Sequence, residues 1–139
     1  MMIVIDASIA AAWFLPEEQH KAADAIMAGL QTTPGAVPTL FWFETRNLFL
    51  MAERRSRMKR GEAALSMAQL RKLKLEEQGT GNDPLIFALA ERHGISGYDA
   101  SYLALAVQLA LPLATMDKRL AEAARNENII LSGPLADPP

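Results

Sequence analysis

The chain has 139 residues, of which 50% are hydrophobic and 22% are charged, and its formal net charge is −2. A chain of this length and composition can bury one sizeable core but not two, and it is too apolar for a disordered protein. It contains no cysteine, which excludes disulfides and thiolate metal sites, and its two histidines are isolated. We therefore expect a single domain over residues 1–139, in which any metal ion is held by oxygen.

The predicted elements alternate between strands and helices. In chain order, they are a strand over residues 2–5, a helix over 17–30, a strand over 36–40, helices over 41–57 and 62–73, a helix opened by Asp83 as N-cap and ended by Gly94, a helix over 98–109, a strand over 113–115, a helix over 118–125 and a strand over 128–131. Ser8 is suited to cap a helix after the first strand. This alternation predicts an α/β fold in which helices cover both faces of a parallel sheet.

Membrane attachment is not expected. No apolar stretch is long enough to cross a bilayer, and the first residues lack the basic region of a signal peptide. The sequence therefore favours a cytoplasmic protein.

Four acidic residues stand where acids are awkward. Asp6 directly follows a buried strand, and Asp117 follows the run Leu113-Ala114-Thr115 in the same way. The carboxyl ends of parallel strands are where α/β sheets bind ligands. Glu44 and Asp99 interrupt the apolar faces of their helices, where a lone carboxylate would be costly to desolvate.

A divalent cation would compensate for several such carboxylates together. Oxygen ligands without cysteine favour Mg²⁺ or Mn²⁺ over zinc. The alternative is purely structural: Asp6 and Asp117 cap the helices that follow them, while Glu44 and Asp99 lie at helix edges near solvent. The residue pattern alone leaves both interpretations open.

Four short motifs around these acids resemble those of PIN-domain proteins and, more closely, the VapC toxins of bacterial VapBC toxin–antitoxin pairs. They are Ile5-Asp6-Ala7-Ser8, Glu44-Thr45-Arg46-Asn47, Tyr98-Asp99-Ala100 and Thr115-Met116-Asp117-Lys118-Arg119-Leu120. The resemblance covers nearly the whole chain, in the right order and spacing. It implies a three-layer α/β/α fold and Mg²⁺- or Mn²⁺-dependent endonucleolytic cleavage of RNA.

The resemblance also implies roles for particular residues. The acidic metal site would consist of Asp6, Glu44, Asp99 and Asp117, supported by the polar groups of Ser8 and Thr115 and by Asn47. Lys118 stands where some relatives carry a further acid. A small antitoxin that holds the protein inactive and a homodimer are the implied partners.

A basic stretch over residues 54–74 carries eight Lys or Arg against one acid. Its first part is a candidate RNA-binding surface, comprising Arg54, Arg55, Arg57, Lys59 and Arg60. Bases near a helix end can equally form an ordinary solvated surface. The aromatic residues Trp13, Phe14, Phe41, Trp42 and Phe43 are expected to pack in the core or at a subunit interface.

Other functions fit the sequence less well. A haloacid-dehalogenase-type phosphohydrolase would carry a second aspartate at position 8, where this chain has Ser8, and no Gly-rich phosphate loop is present. A housekeeping PIN-type nuclease and a non-catalytic module that binds RNA or protein remain as alternatives.

Overall fold

A five-stranded sheet, in which every pair of neighbouring strands is parallel, organises the computed structural model of the protein. The structure describes residues 1–136, so the last three residues of the predicted domain lie outside it. The strands are β1 (Val4–Ile5), β2 (Gly35–Val37), β3 (Leu75–Glu77), β4 (Leu113–Ala114) and β5 (Leu131–Ser132). They lie in the order β3-β2-β1-β4-β5, with β1 at the centre.

In residues 1–136, seven α-helices connect the strands. They are α1 (Ala7–Phe14), α2 (Lys21–Gly29), α3 (Leu40–Arg54), α4 (Glu62–Leu70), α5 (Asp83–His93), α6 (Gly97–Leu109) and α7 (Lys118–Asn126). Helices α1 to α4 contact one another, and so do α5 to α7, as right-handed crossovers on the two faces of one sheet require. The predicted three-layer α/β/α fold is confirmed.

Pairing of the central strands places residues that are far apart in the sequence side by side. In β1, Val4 pairs with Ala36 of β2 and with Leu113 of β4, and Ile5 pairs with Ala114. All of these residues are fully buried, because helices cover both faces of the sheet. The residues that follow β1 and β4 therefore emerge side by side at the carboxyl edge of the sheet.

Two regions depart from the predicted elements. Strand β3 was not expected: it lies at the edge of the sheet, and its exposed Glu76 and Glu77 give it no apolar pattern. The predicted helix over residues 17–30 is divided, because Pro16–Glu18 form a 3₁₀ turn and His20 caps α2 afresh.

Helix caps and strand ends account for the other differences, among them the last strand, which is Leu131–Ser132 and not residues 128–131. Asp6, not Ser8, is the N-cap of α1, and Asn82, one residue before the predicted Asp83, caps α5. The predicted strand over 36–40 ends at Val37 because Pro38 cannot donate to a sheet and Leu40 already begins α3. Gly94 ends α5 at a positive φ of 61°, as predicted.

Most of the large aromatic residues pack inside the molecule. Trp13 and Phe41 are buried, Phe14 packs edge-on against Phe49, and only Phe43 among the predicted set is largely exposed. In residues 1–136, no helix combines the length and the apolar character needed to span a bilayer.

Candidate active site

Asp6 lies at the end of the central strand and caps the helix that follows. Its Oδ1 accepts the backbone N–H of Ile9 at 3.2 Å, and the residue is 5% exposed. Ser8 Oγ donates to Oδ1 at 2.6 Å, and Thr115 Oγ1 donates to Oδ2. Both carboxylate oxygens are therefore bound by hydroxyls, as a buried carboxylate requires.

Backbone amides of the loop between β4 and α7 fix the direction of these hydrogen bonds. Met116 N–H donates to Ser8 Oγ at 2.8 Å, and Asp117 N–H donates to Thr115 Oγ1 at 3.0 Å. Since each hydroxyl oxygen accepts an amide proton, its own single proton is available to Asp6. Ser8 and Thr115, the two predicted supporting groups, thus link the central carboxylate to the loop that carries Asp117.

Asp117 is the N-cap of α7. Its Oδ1 accepts the backbone N–H groups of Arg119 and Leu120, at 2.9 and 3.2 Å. Within residues 1–136, its Oδ2 has no hydrogen-bonding partner, and the side chain is half-buried. One oxygen of Asp117 therefore stabilises the helix while the other stays available to a ligand.

Glu44 lies in the second turn of α3 and is held by a tyrosine from the other helical layer. Tyr102 Oη donates to Glu44 Oε1 at 2.5 Å, and Tyr102 itself is only 2% exposed. Burial raises the pKa of the Tyr102 phenol, which keeps its proton on the oxygen that faces Glu44. Glu44 Oε2 accepts no hydrogen bond from the described part of the chain.

Asp99, in the first turn of α6, interacts electrostatically with each of the other three acids. Its negative charge contributes to raising the pKa values of Asp6 and Glu44, and the charge of Asp117 acts on Asp99 in turn. Asp99 is half-buried, near the N-cap Ser96. Asp99 is thus close enough to each of the other three predicted acids for their charges to interact.

Burial is the main cause of the pKa shifts at this edge of the sheet. It raises the pKa of Asp6 from 3.8 to about 6, against the opposing effect of the hydrogen bonds that Asp6 accepts. It also raises the pKa values of Glu44 and Asp99, and neighbouring carboxylates add to each shift. Carboxylates with these properties are strong candidates for a cation site.

The donor set suits a hard divalent cation, because all four side chains offer carboxylate oxygens. Within residues 1–136, no three acidic or histidine side chains lie close enough together to hold a metal ion as they stand. Within the described residues, Glu44 Oε2 and Asp117 Oδ2 accept no hydrogen bond, which leaves both oxygens available as ligands.

The other predicted residues take no part in these hydrogen bonds. Asn47 is exposed on α3 and makes no side-chain hydrogen bond within the described residues. Arg54 is ten residues beyond Glu44, or about 15 Å along α3. Of the five basic residues, four are exposed, whereas Arg57 is half-buried and paired with Glu17 and Glu18.

Tyr102 is the contact that sequence reasoning missed. It lies three residues after Asp99, so both side chains project from the same face of α6. A buried tyrosine hydroxyl almost always needs a polar partner. A tyrosine three residues after an acid on an apolar helix was therefore the feature of the sequence that could have indicated this contact.

Comparison with known proteins identifies the fold. The PIN-domain family matches residues 3–126. Ribonuclease VapC3 of Pyrobaculum aerophilum is 32% identical over 126 residues, which cover 88% of this chain and 94% of that protein.

Two solved structures share the fold at lower identity. VapC20 of Mycobacterium tuberculosis, a toxin that cleaves the sarcin–ricin loop, superposes with a TM-score of 0.63 at 18% identity, covering 87% of this chain and 94% of its own. The VapBC2 complex of Rickettsia felis, bound to a DNA fragment from its promoter, gives a TM-score of 0.66 at 16% identity, with 95% and 98% covered. The sequence and the fold agree, and this chain belongs to the VapC ribonucleases of the PIN-domain family.

Proposed function

We propose that this protein is the toxin of a toxin–antitoxin pair and cuts RNA at the carboxyl edge of its sheet. The observation that carries the proposal is the set of four carboxylates, Asp6, Glu44, Asp99 and Asp117, in which Asp99 interacts electrostatically with each of the other three, on a VapC-type PIN fold. The set contains no histidine, cysteine or lysine that could serve as nucleophile or base. Cleavage by hydrolysis is the chemistry that such a set serves.

Mg²⁺, with Mn²⁺ as a substitute, is the proposed cofactor, and the same four acids are its proposed ligands. Such an ion, when bound, lowers the pKa of a water molecule and neutralises charge on the phosphate. Asp6 is the anchor of the site, because Ser8 and Thr115 fix both of its oxygens. Glu44 is oriented by Tyr102, and Asp117 by the first turn of α7.

Incubation of the purified protein with total RNA tests this function. Mg²⁺ and Mn²⁺ should each support endonucleolytic cuts, and EDTA should stop them. Mapping the new ends would then identify the RNA and the cleaved sequence. Cleavage that persists in EDTA after metal has been stripped would contradict the proposed mechanism.

Tyr102→Phe is expected to lower cleavage by roughly 10-fold, because Glu44 loses the hydrogen bond that orients it. The same variant should bind Mn²⁺ more weakly, since the Glu44 pKa rises further without that donor. Steady-state cleavage and Mn²⁺ titration measure the two effects. Tyr98→Phe is the matched control, because this exposed tyrosine lies on the same helix; equal losses in both variants would argue against the role of Tyr102.

We also propose that RNA extends from the acids along α3 toward the basic residues at its end, Arg54, Arg55, Arg57, Lys59 and Arg60. Most of these residues, with Leu50 and Glu62, line part of a surface cavity of about 790 Å³. Arg57 should contribute least to RNA binding, because Glu17 and Glu18 already neutralise its charge.

The double variant Arg54→Gln/Arg55→Gln is expected to bind RNA more weakly and with a smaller dependence on salt. The slope of log affinity against log salt should become shallower by about 0.7 for each phosphate of single-stranded RNA that the variant no longer neutralises. Binding of an RNA oligonucleotide at several salt concentrations measures it. Lys21→Gln, an exposed base on α2, serves as control. If the double variant keeps the wild-type slope of log affinity against log salt, the basic stretch does not bind RNA and serves only solubility.

The proposed partners are a cognate antitoxin and a second copy of this chain, in the cytoplasm. An antitoxin arginine would neutralise the four acids in place of a metal ion, and antitoxin acids would cover the basic residues. Phe43, 58% exposed beside Glu44, is available for subunit packing. A toxin–antitoxin complex from Klebsiella pneumoniae that shares the fold, with a TM-score of 0.55 at 21% identity, supports such a pairing.

Expression in a bacterial host tests the toxin role. Growth should slow when the protein is produced alone and recover when the neighbouring small gene product is produced with it. A protein that is monomeric, harmless and copurifies with nothing would favour the housekeeping PIN-type nuclease instead. A protein that binds RNA without turnover would favour the non-catalytic module.

A further inference from the structure

Arg119 is a cation at the proposed acidic site for which the fold has no evident need. It lies in the first turn of α7, two residues after Asp117, and it is exposed. Its backbone N–H donates to Asp117 Oδ1 at 2.9 Å, which ties its backbone to one of the four acids. Its guanidinium Nη2 donates to the backbone carbonyl of Gly94 at 2.7 Å, beyond the end of α5.

The positive charge of Arg119 interacts electrostatically with the acidic set. It lowers the pKa of Asp99, opposing the effects of burial and of Asp117. In the described part of the chain, no other base contributes to the pKa shifts of Asp6, Glu44 or Asp99. Arg119 is therefore the basic side chain whose positive charge acts on the acidic site.

Most of the hydrogen-bonding capacity of this guanidinium is unused. A guanidinium has five N–H donors in a planar fork that matches phosphate oxygens. Within residues 1–136, the Arg119 side chain donates only to Gly94. Its remaining donors and its exposure leave it able to bind an anion beside the acids.

The contact with Gly94 is not needed to hold the turn between α5 and α6. Glu127 Oε2, near the other end of α7, lies 2.7 Å from Arg92 Nη1 and 2.6 Å from His93 Nε2, at the end of α5. Ser96 caps α6 independently, by accepting the backbone N–H of Asp99 at 3.0 Å. Loss of the Arg119 side chain therefore leaves the turn anchored on both sides.

We propose that Arg119 binds the phosphate group of the RNA that is cut, on the side of the site formed by Asp99 and Asp117. This inference rests on the proposed function, since it assumes that those acids hold a metal ion. Arg119 supplies the fixed positive charge that the four acids lack and attracts a polyanion to a negative site. It also competes with the metal ion, because both are attracted to Asp99.

That competition yields a test in which two measurements move in opposite directions. Arg119→Gln should bind Mn²⁺ more tightly, by about 3- to 10-fold, because a repelling charge is removed from the site. The same variant should cleave RNA with a kcat/KM lower by about 100-fold, at saturating Mn²⁺, because the phosphate loses its donor. Mn²⁺ affinity is measured by titration without RNA, and cleavage by initial rates.

Two further variants separate this role from a general charge effect. Lys118→Gln removes the same charge one residue away and should change both quantities less than Arg119→Gln does. Arg119→Lys keeps the charge but not the fork, so its Mn²⁺ affinity should stay near wild type while cleavage is only partly retained. Loss of both metal binding and cleavage in Arg119→Gln would show a structural role, and wild-type cleavage would show none; either result overturns the proposal.

The failure of the proposed function would look different. If Asp99→Asn binds Mn²⁺ as well as the wild type does, the acidic set is not the metal site, and the assumption beneath the inference is lost. If Asp99→Asn loses Mn²⁺ while Arg119→Gln leaves metal affinity and cleavage unchanged, the metal site stands and only the role of Arg119 is wrong.

Discussion

Asp99→Asn is expected to abolish RNA cleavage, with a loss of roughly 10³-fold, while raising the melting temperature of the metal-free protein. Asp99 is the acid whose charge acts on Asp6 and Glu44 and on which Asp117 acts, so it occupies the electrostatic centre of the site. Removing its charge deprives a metal ion of a ligand, which accounts for the loss of activity. It also removes repulsion between like charges, which accounts for the gain in stability.

Cleavage of total RNA and thermal melting in EDTA measure the two effects on one preparation. Glu91→Gln is the matched control, because this exposed acid of α5 loses the same charge outside the proposed site. It should cleave RNA like the wild type. Wild-type cleavage by Asp99→Asn would show that the four acids are wrongly assigned, whatever its melting temperature.

The positions of the acids could be predicted because each one breaks a strong local pattern. Asp6 ends a buried apolar strand, and Asp99 interrupts an apolar helix, so both stand out against their neighbours. Their hydrogen bonds could not be predicted in the same way. The contacts from Thr115 to Asp6 and from Tyr102 to Glu44 join residues 109 and 58 positions apart, and only the folded sheet brings them together.

The structural and functional interpretations of Asp6 and Asp117 turn out to be compatible. Both residues cap helices, as the structural interpretation expected, yet each cap uses a single oxygen, Oδ1. The cap fixes the carboxylate at the edge of the sheet, and this placement is what a metal site would require of it. A capping role is therefore no argument against a catalytic one in this fold.

Edges of elements were the least predictable part of the fold. Strand β3 has an exposed, acidic sequence because one side of an edge strand faces solvent, and its pairing with β2 depends on tertiary structure. The apolar run of β1 and the helix end at Gly94 were predictable because a buried strand and a positive φ leave few alternatives.

The free energy of unfolding of the metal-free protein is expected to fall as pH rises from 5 to 7.5. Burial raises the pKa of Asp6 from 3.8 to about 6 in the folded state. A carboxyl group with a raised folded-state pKa contributes stability below its unfolded pKa and loses it as pH rises through the folded value. One pKa unit corresponds to about 1.4 kcal/mol, so the full effect of Asp6 is about 3 kcal/mol.

Between pH 5 and 7.5, the part that Asp6 contributes is about 1–2 kcal/mol. Glu44 and Asp99 act in the same direction, since their pKa values are also raised, chiefly by burial. Glu127 acts in the opposite direction but at lower pH: burial would raise its pKa, yet hydrogen bonds with Arg92 and His93 hold it below its usual value. The window from pH 5 to 7.5 therefore lies above the range in which Glu127 titrates.

Urea denaturation in EDTA at pH 5, 6 and 7.5 measures this dependence. Saturating Mn²⁺ should abolish or reverse it, because the ion binds the ionised carboxylates of the folded state and gains affinity as pH rises. Asp6→Asn should reduce the dependence in EDTA, whatever its absolute stability, since its side chain no longer titrates. Two results would contradict this prediction: a wild-type protein that is equally stable at pH 5 and 7.5 in EDTA, or an Asp6→Asn variant that keeps the full slope. In either case, ionisation of the buried Asp6 does not lower the stability of the metal-free protein.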